Sequence, residues 1–389
     1  MRPALARDLA QLRASVFADL APAIAARKEA GLPLAPLHIG DTHRPPAATL
    51  EDLPAWGRDA SSYAYGALGG VPALRDRLAE TLTTAHGLPS GGGDLLVTVG
   101  ATHGLLCAAR ACLDAGDEVV VLAPYWPLSV GVLRSAGAVP VEVPFTSTVA
   151  AAGEDAAIAL VRRAIGARTR GLYFASPNNP CGFVYPRALL ERLVSLAVEH
   201  GLWVFADEVY AAYAYDAPFV SAGAFEDGRV VVVGSLSKSH GLAGARIGYV
   251  RAESAVLAAI GKVATHSAFH PSLHAQGLAF AALANEAWVR DARAGYIQAR
   301  AVFAEALAAV RVPFLAPAGG SYVFANFAAF AGECGVNALF ERFVEAGVLV
   351  CPGAACGEAF SGYARLCFTG APIAELTSAM RALTGVIRG

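Results

Sequence analysis

The sequence has few charged residues, no long uninterrupted apolar run and no CxxC motif. Charged residues make up 16% of the 389 positions and the net charge is −2 without a basic run, which argues against nucleic acid as the main partner. Every window of 18 residues contains a charge or a Gly/Pro interruption, so we predict no transmembrane helix. Asp8 and Asp19 interrupt the N-terminal apolar residues, which argues against a signal peptide. Seven scattered cysteines without a CxxC pair predict a reducing, cytoplasmic location and no metal cluster.

Lysine is unusually rare in this chain. There are three lysines against 27 arginines, so a cation that only has to be solvated is almost always arginine. Arginine stays protonated and cannot form an imine, whereas a partly desolvated lysine amine loses its proton and attacks carbonyls. Lys238 follows the apolar run 230–233, and we predict a chemical role for it, while Lys28 and Lys262 fit solvated helix faces.

The residues around Lys238 suit a phosphate group. Ser235 and Ser237 flank the lysine with hydroxyls, and Arg246 follows eight residues later. This pattern favours a Schiff base between Lys238 and pyridoxal phosphate, with the other three side chains on the phosphate. The alternative is an ordinary Ser/Gly loop that carries a surface lysine.

The middle of the chain alternates β-rich runs with helical patterns. Continuous apolar strands that alternate with helices predict a mostly parallel sheet covered on both faces. Ligands of such sheets bind at the carboxyl ends of the strands. The predicted strands are Leu95–Val99, Glu118–Leu122, Val139–Phe145, Gly171–Phe174, Leu202–Phe205 and Arg229–Val233; the clearest helices are residues 1–30, 73–85, Thr102–Leu113, Pro186–Glu199 and 283–309.

Polar and aromatic residues follow four of these strands. The Gly100-Ala101-Thr102 turn into a helix offers free backbone N–H groups and a hydroxyl for a phosphate, although Thr102 could equally be a helix cap. Trp126 could stack on a flat ring or belong to the core, and Asn179 lies in a turn from which it could donate to a ring oxygen. Asp207 ends a buried strand, where a carboxylate needs a cation, and a protonated pyridine nitrogen would serve.

Taken together, these turns resemble the class I/II aminotransferase family, the pyridoxal-phosphate enzymes of fold type I, over nearly the whole chain. The resemblance implies an α/β fold, with a large domain built on a mostly parallel seven-stranded sheet and a smaller α/β domain. It implies an N-terminal arm over residues 1–49 belonging to the small domain, a large cofactor-binding domain over 50–282 and a C-terminal small domain over 283–389. It also implies a homodimer that transfers an amino group from an L-amino acid to a 2-oxo acid by a ping-pong mechanism.

The resemblance assigns a role to each cofactor-contacting residue. Lys238 carries the Schiff base and moves the proton, and Asp207 pairs with the pyridinium nitrogen. Asn179 and Tyr210 hydrogen-bond the ring oxygen, and Trp126 stacks on the ring. Catalysis is thereby expected from Lys238, Asp207 and Tyr210. The expected phosphate ligands are Gly100, Ala101, Thr102, Ser235, Ser237 and Arg246, with Tyr65 reaching the phosphate of the partner subunit.

The resemblance also places the substrate. Arg365 is expected to grip the α-carboxylate, with Gly40 and Asn179 as further substrate contacts. Members that act on acidic substrates commonly carry a lysine at the position of Thr102, or an arginine near Thr265, so a clamp for a second carboxylate is not evident. Two cysteines depart from the family pattern, Cys181 standing in place of threonine and Cys356 in place of an aromatic residue. Four residues are candidates for the side-chain pocket: His43, Arg44, His240 and His270.

Two alternatives use the same fold. A β-elimination C–S lyase or a decarboxylase would employ the same Lys238 and Asp207, because the bond held perpendicular to the ring decides the reaction. A cofactor-binding transcription regulator would carry a DNA-binding domain before the fold, and only about 35 residues, without a basic helix, precede Leu37.

Overall fold

The structure is a computed structural model that describes Leu12, residues 20–225 and residues 228–389. Its strands are β1 Leu95–Val99, β2 Glu118–Ala123, β3 Val139–Pro144, β4 Thr169–Ala175, β5 Trp203–Asp207, β6 Val230–Ser235, β7 Ile247–Arg251, β8 Tyr322–Asn326, β9 Cys351–Pro352 and β10 Tyr363–Cys367. Its α-helices are α1 Ala21–Glu29, α2 Ala55–Arg58, α3 Pro72–His86, α4 Gly100–Cys112, α5 Ser129–Ser135, α6 Phe145–Ala164, α7 Arg187–Glu199, α8 Leu236–Ser239, α9 Ser254–Ala268, α10 Leu273–Ala282, α11 Glu286–Ala309, α12 Gly335–Glu345 and α13 Ile373–Arg388. Short 3₁₀ helices cover Leu50–Asp52, Ala60–Tyr63, Gly92–Asp94, Ala211–Tyr213, Ala222–Phe225, Ala243–Ala245, Ala328–Phe330, Gly353–Cys356 and Glu358–Phe360.

The large sheet has seven strands in the order β1-β7-β6-β5-β4-β2-β3. Strand β7 runs antiparallel to both of its neighbours, and the other pairs are parallel. The mostly parallel seven-stranded sheet expected from the resemblance is thus confirmed. The seventh strand, Ile247–Arg251, is absent from the six runs identified by their β-rich composition. It begins directly after Arg246, which breaks the apolar pattern and has a left-handed φ of 54°.

Alternate residues of the central strands pack on opposite faces of this sheet, because successive side chains of a strand point to opposite sides. One face packs against α4, α5 and α9 and buries Val119, Val121, Phe205 and Val231. The other face packs against α6 and α7 and buries Val120, Leu172, Val204 and Val232. Burial on both faces explains why these strands are continuous apolar runs, and it leaves the strand ends as the place for polar residues.

The smaller sheet has three antiparallel strands in the order β8-β10-β9. Residues near the N-terminus pack beside it, since the Cys367 amide of β10 donates to the Leu37 carbonyl and α1 packs against α12. Ala35 also forms an isolated parallel bridge with Val348, outside the three strands. Helix α1 covers part of the helix predicted over residues 1–30; residues 1–11 and 13–19 of that prediction lie outside the described residues. The domain boundaries at 49/50 and 282/283 stay a prediction. Among the residues that the structure describes, no helix is long and apolar enough to cross a bilayer.

Candidate active site

A cavity of about 540 Å³ lies at the carboxyl ends of the central strands. Turns that follow β1, β2, β4, β5 and β6 meet at this edge, because these strands run in the same direction. Residues from the three-stranded sheet and from the segment 38–40 close its other side. Of the predicted site residues, the cavity is lined by Gly40, Ala101, Thr102, Trp126, Asn179, Asp207, Tyr210, Ser235, Ser237, Lys238, Arg246 and Arg365.

Lys238 lies on the single helical turn α8, directly after β6. Ser235 begins that turn, and its hydroxyl accepts a hydrogen bond from the Ser237 amide at 3.0 Å. The Lys238 Nζ donates to the carbonyl oxygen of Gly40 at 2.5 Å, and the side chain is half-buried. Burial lowers the pKa of the amine, with opposing effects from nearby acidic and basic groups, Arg246 among the latter. A lowered pKa makes the unprotonated, nucleophilic amine more accessible near neutral pH.

Asp207 is the last residue of β5, and both of its described hydrogen-bond partners are uncharged. The Val209 amide and the Tyr173 hydroxyl each donate to its carboxylate at 3.2 Å. Burial raises the pKa of Asp207 to about 6, and these two hydrogen bonds oppose the rise. The carboxylate faces the cavity without a cation among the described residues, so a positively charged group bound there would restore its ionised form.

The first turn of α4 and the Lys238 segment form a cradle suited to an anion. The N-terminus of this 13-residue helix presents backbone N–H groups and carries a positive partial charge. Gly100 has a φ of 74°, and a Cβ there would lie 2.4 Å from Nη2 of Arg246, so the glycine lets the guanidinium approach the helix. The Ser235 and Ser237 hydroxyls, 2.8 Å apart, line the same region. Gly100 itself does not line the cavity.

Arg365 lies in the middle of β10 and is almost completely buried, with 6% of its surface exposed. Its Nη1 donates to Oδ1 of Asn179 at 2.9 Å, and its Nη2 donates to the carbonyl oxygen of His38 at 2.8 Å. The guanidinium also lies 4.3 Å from the centre of the Tyr322 ring. Its Nε has no hydrogen-bond partner, and no carboxylate of the described residues pairs with it. A buried guanidinium with an unused N–H suits a carboxylate ligand.

Tyr322, Tyr173 and His38 belong to the site, although no role was predicted for them. The Tyr210 hydroxyl donates to that of Tyr322 at 2.9 Å, so both tyrosines sit beside Arg365. The one available signal for Tyr173 is a polar hydroxyl within a buried strand, which must find a partner. Tyr322 and His38 reach the cavity from segments distant in sequence, and no local pattern could have identified them.

Tyr65 and the four side-chain-pocket candidates lie outside the cavity lining. Tyr65 is 86% exposed, with its ring 5.0 Å from that of Phe269. His43 contacts the Thr369 carbonyl and Arg44 lies near the Trp288 ring; His240 contacts the Ser239 hydroxyl, and His270 accepts from the Gly66 amide. Within the described chain, none of His43, Arg44, His240 and His270 lines this cavity, and each has a contact elsewhere; their place in a side-chain pocket stays a prediction.

The chain is similar to known proteins over most of its length. The profile of the aminotransferase class I and II family matches residues 39–383. The aspartate/prephenate aminotransferase of Thermus thermophilus is 37% identical over 307 residues, covering 77% of this chain and 78% of the relative. A solved single-mutant aspartate aminotransferase of Thermus thermophilus superimposes with a TM-score of 0.89 at 32% identity, covering 99% of this chain and 100% of that one. An aromatic aminotransferase of Pyrococcus horikoshii superimposes with a TM-score of 0.85 at 27% identity, covering 94% and 98%.

Proposed function

This chain belongs to the class I and II aminotransferase family and is a pyridoxal-phosphate-dependent aminotransferase, and we propose that Lys238 is the residue that binds the cofactor covalently and moves the proton. The predicted family, cofactor and class of reaction are confirmed by these comparisons. The roles of the individual residues are our proposal, and they rest on the geometry of the cavity.

The residues present fit the cofactor at each of its chemically distinct parts. The α4 N-terminus, Ser235, Ser237 and Arg246 would hold the phosphate, since they offer N–H, hydroxyl and guanidinium donors around one point. Asp207 would pair with the ring nitrogen, because its half-buried carboxylate has no cation of its own among the described residues. The half-buried Trp126 would stack on the ring face.

When bound, pyridoxal phosphate supplies an electron sink that makes the α-proton of an amino acid removable. Lys238 takes this proton at Nζ and returns it, which a lowered pKa favours. Arg365 binds the substrate α-carboxylate through its free Nε and an Nη, while Asn179 fixes the orientation of the guanidinium. The Gly40 carbonyl, which accepts from Lys238, would lie against a bound substrate. Tyr210 and Asn179, which line the cavity, would hydrogen-bond the ring oxygen.

The observation that carries the proposal is the meeting of Lys238, Asp207 and the unpaired Nε of Arg365 in a single cavity. Borohydride reduction of the holoenzyme, followed by peptide mapping, tests it directly. With only three lysines in the chain, the cofactor mass should appear on Lys238. Its appearance on Lys28 or Lys262 would refute the assignment, and Lys262→Arg provides a matched control that should label normally.

We propose further that the enzyme is a homodimer with shared active sites. Tyr63 and Tyr65 are 82% and 86% exposed, and Leu68 and Phe269 are exposed beside them, an apolar surface of the kind that subunits cover. Tyr65 would reach the phosphate of the partner subunit across this surface. Light scattering should give twice the mass of the chain, and Tyr65→Phe should weaken cofactor binding; a monomer with normal cofactor affinity would refute the proposal.

Localisation in the cytoplasm is also a proposal. All seven cysteines are free thiols in the described residues, which suits a reducing compartment. Fractionation of the producing cell tests it. Recovery of the protein outside the cytoplasmic fraction would contradict it.

A further inference from the structure

Among the described residues of one chain, the cavity has no charged group left over for the side chain of a substrate. The cations that line it are Lys238, Arg246 and Arg365, and the one carboxylate is Asp207. The proposed function uses all four, for the amine chemistry, the phosphate, the α-carboxylate and the ring nitrogen. A charged substrate side chain would therefore find no free opposite charge among these residues.

His38 does not fill this gap. Burial lowers the pKa of its imidazole to about 4, with a further decrease from the charge of Arg365. The ring is consequently neutral near pH 7 and offers no cation to an acidic side chain. The direction of the effect is also physically consistent, because the nearby guanidinium of Arg365 disfavours a second positive charge.

The rest of the wall is largely apolar. Ile39 and Leu128 are each 51% exposed at the edge of the cavity, and Leu105 and Val209 lie further in. Trp126 adds a large aromatic surface. Apolar contacts of this kind bind an aliphatic or aromatic group through the hydrophobic effect, and they provide no hydrogen bonds for a carboxylate.

We infer that the amino donor of this enzyme has an uncharged, apolar side chain, aliphatic or aromatic, which packs against Leu128 and Ile39. This inference rests on the proposed function of Lys238 and Arg365 in the same cavity. It sets the chain apart from the relatives named for aspartate, with which it shares its fold. The wall discriminates by offering apolar contacts to an uncharged side chain and no opposite charge to a charged one.

Aspartate and asparagine give the sharpest test, because they have nearly the same shape and differ in charge. The kcat/KM for asparagine should exceed that for aspartate, and leucine and phenylalanine should exceed aspartate by about 10-fold or more, because their side chains gain apolar contacts worth about 1.4 kcal/mol that a carboxylate cannot make. An aspartate value equal to or above those of asparagine and leucine would overturn the inference. Absence of turnover with every amino acid would instead refute the proposed function.

Equilibrium binding tests the apolar wall separately from the catalytic role of Lys238, because it requires no turnover. Succinate and 4-methylpentanoate both offer a carboxylate to Arg365, but only the first carries a second charge. The shift of the cofactor absorbance on titration should show that 4-methylpentanoate binds more tightly, and tighter binding of succinate would contradict the apolar wall. This comparison remains informative even if the catalytic assignment of Lys238 fails.

A new cation in the wall should reverse the preference. Leu128→Lys places an amine at the edge of the cavity, and Leu128→Met is the matched uncharged control of similar length. The aspartate-to-asparagine ratio of kcat/KM should rise by about 10-fold or more in the lysine variant relative to the methionine variant, because the new charge pairs with the carboxylate. Equal ratios in the two variants would overturn the placement of the substrate side chain beside Leu128.

Discussion

Without cofactor, the Asp207→Asn variant should become more stable relative to the wild type as the pH rises. The carboxyl has an ordinary pKa of 3.8, which burial raises to about 6 in the folded chain. The folded state therefore holds this proton more tightly than the unfolded state. The resulting stability is fully present below the unfolded pKa and is lost as the pH rises through the folded pKa.

The size of the effect follows from the shift. Each pKa unit corresponds to about 1.4 kcal/mol, so moving from about pH 4.5 to about pH 7.5 should cost the wild-type chain about 2 kcal/mol through this one group. Asparagine keeps the shape of the side chain and cannot ionise, so the variant escapes this cost. Cofactor binding should largely remove this pH-dependent loss of stability from the wild type, because the ring cation would pair with the ionised carboxylate.

Urea unfolding of both proteins, followed by circular dichroism at the two pH values, measures this difference. Asp155→Asn is the control, since the Asp155 side chain is 96% exposed and its ion pair among the described residues is with Arg192 at the surface. We expect the wild type to lose about 2 kcal/mol more than Asp207→Asn without cofactor, and the control to follow the wild type. Parallel pH curves for wild type and Asp207→Asn would refute the buried, cation-free state of this carboxylate.

Three further substitutions test other parts of the site. Lys238→Ala should retain the cofactor non-covalently after gel filtration yet lose amino transfer, and normal turnover would exclude a covalent role for this lysine. Arg365→Ala should lower kcat/KM for all amino acids by a similar factor of about 100 or more, because the α-carboxylate loses charge-assisted hydrogen bonds; Arg290→Ala, at an exposed arginine, should have no effect. A loss confined to acidic substrates would mean that Arg365 contacts the side chain instead. Gly100→Ala should weaken cofactor affinity in a fluorescence titration, since its Cβ would lie 2.4 Å from the Arg246 guanidinium. Gly116→Ala is the matched control for backbone strain, because Gly116 has a similar positive φ and no neighbour within 4 Å. Equal cofactor affinities in the two variants would contradict the close approach of Arg246 to Gly100.

The predicted strands and the residues at their ends came from strong local signals. A continuous apolar run such as residues 230–233 must be buried on both faces of the sheet. A polar residue at its end then needs a partner or a chemical role. Lys238, Asp207 and Asn179 could be found in this way because each stands at or shortly after the end of a strand, where its chemistry is unusual. The structure places all three in the same cavity.

Contacts between distant segments could not be predicted in this way. Arg365 hydrogen-bonds to the His38 carbonyl, 327 residues away, and the Tyr210 hydroxyl donates to Tyr322, 112 residues away. No periodicity encodes such pairs, because they depend on how the small sheet packs against the large one. The same reason applies to His240, whose burial near Ser239 follows from tertiary packing and leaves no mark on the local sequence.

The most direct test of the central claim is a single-turnover half-reaction. The holoenzyme is mixed with one L-amino acid such as leucine, without any 2-oxo acid, and the cofactor spectrum, the 2-oxo acid and ammonia are followed together. We expect the cofactor to convert to its amine form with one 2-oxo acid released per site and no ammonia, and added 2-oxo acid should restore the starting spectrum. A spectrum that returns by itself while ammonia accumulates would identify a lyase and contradict the account.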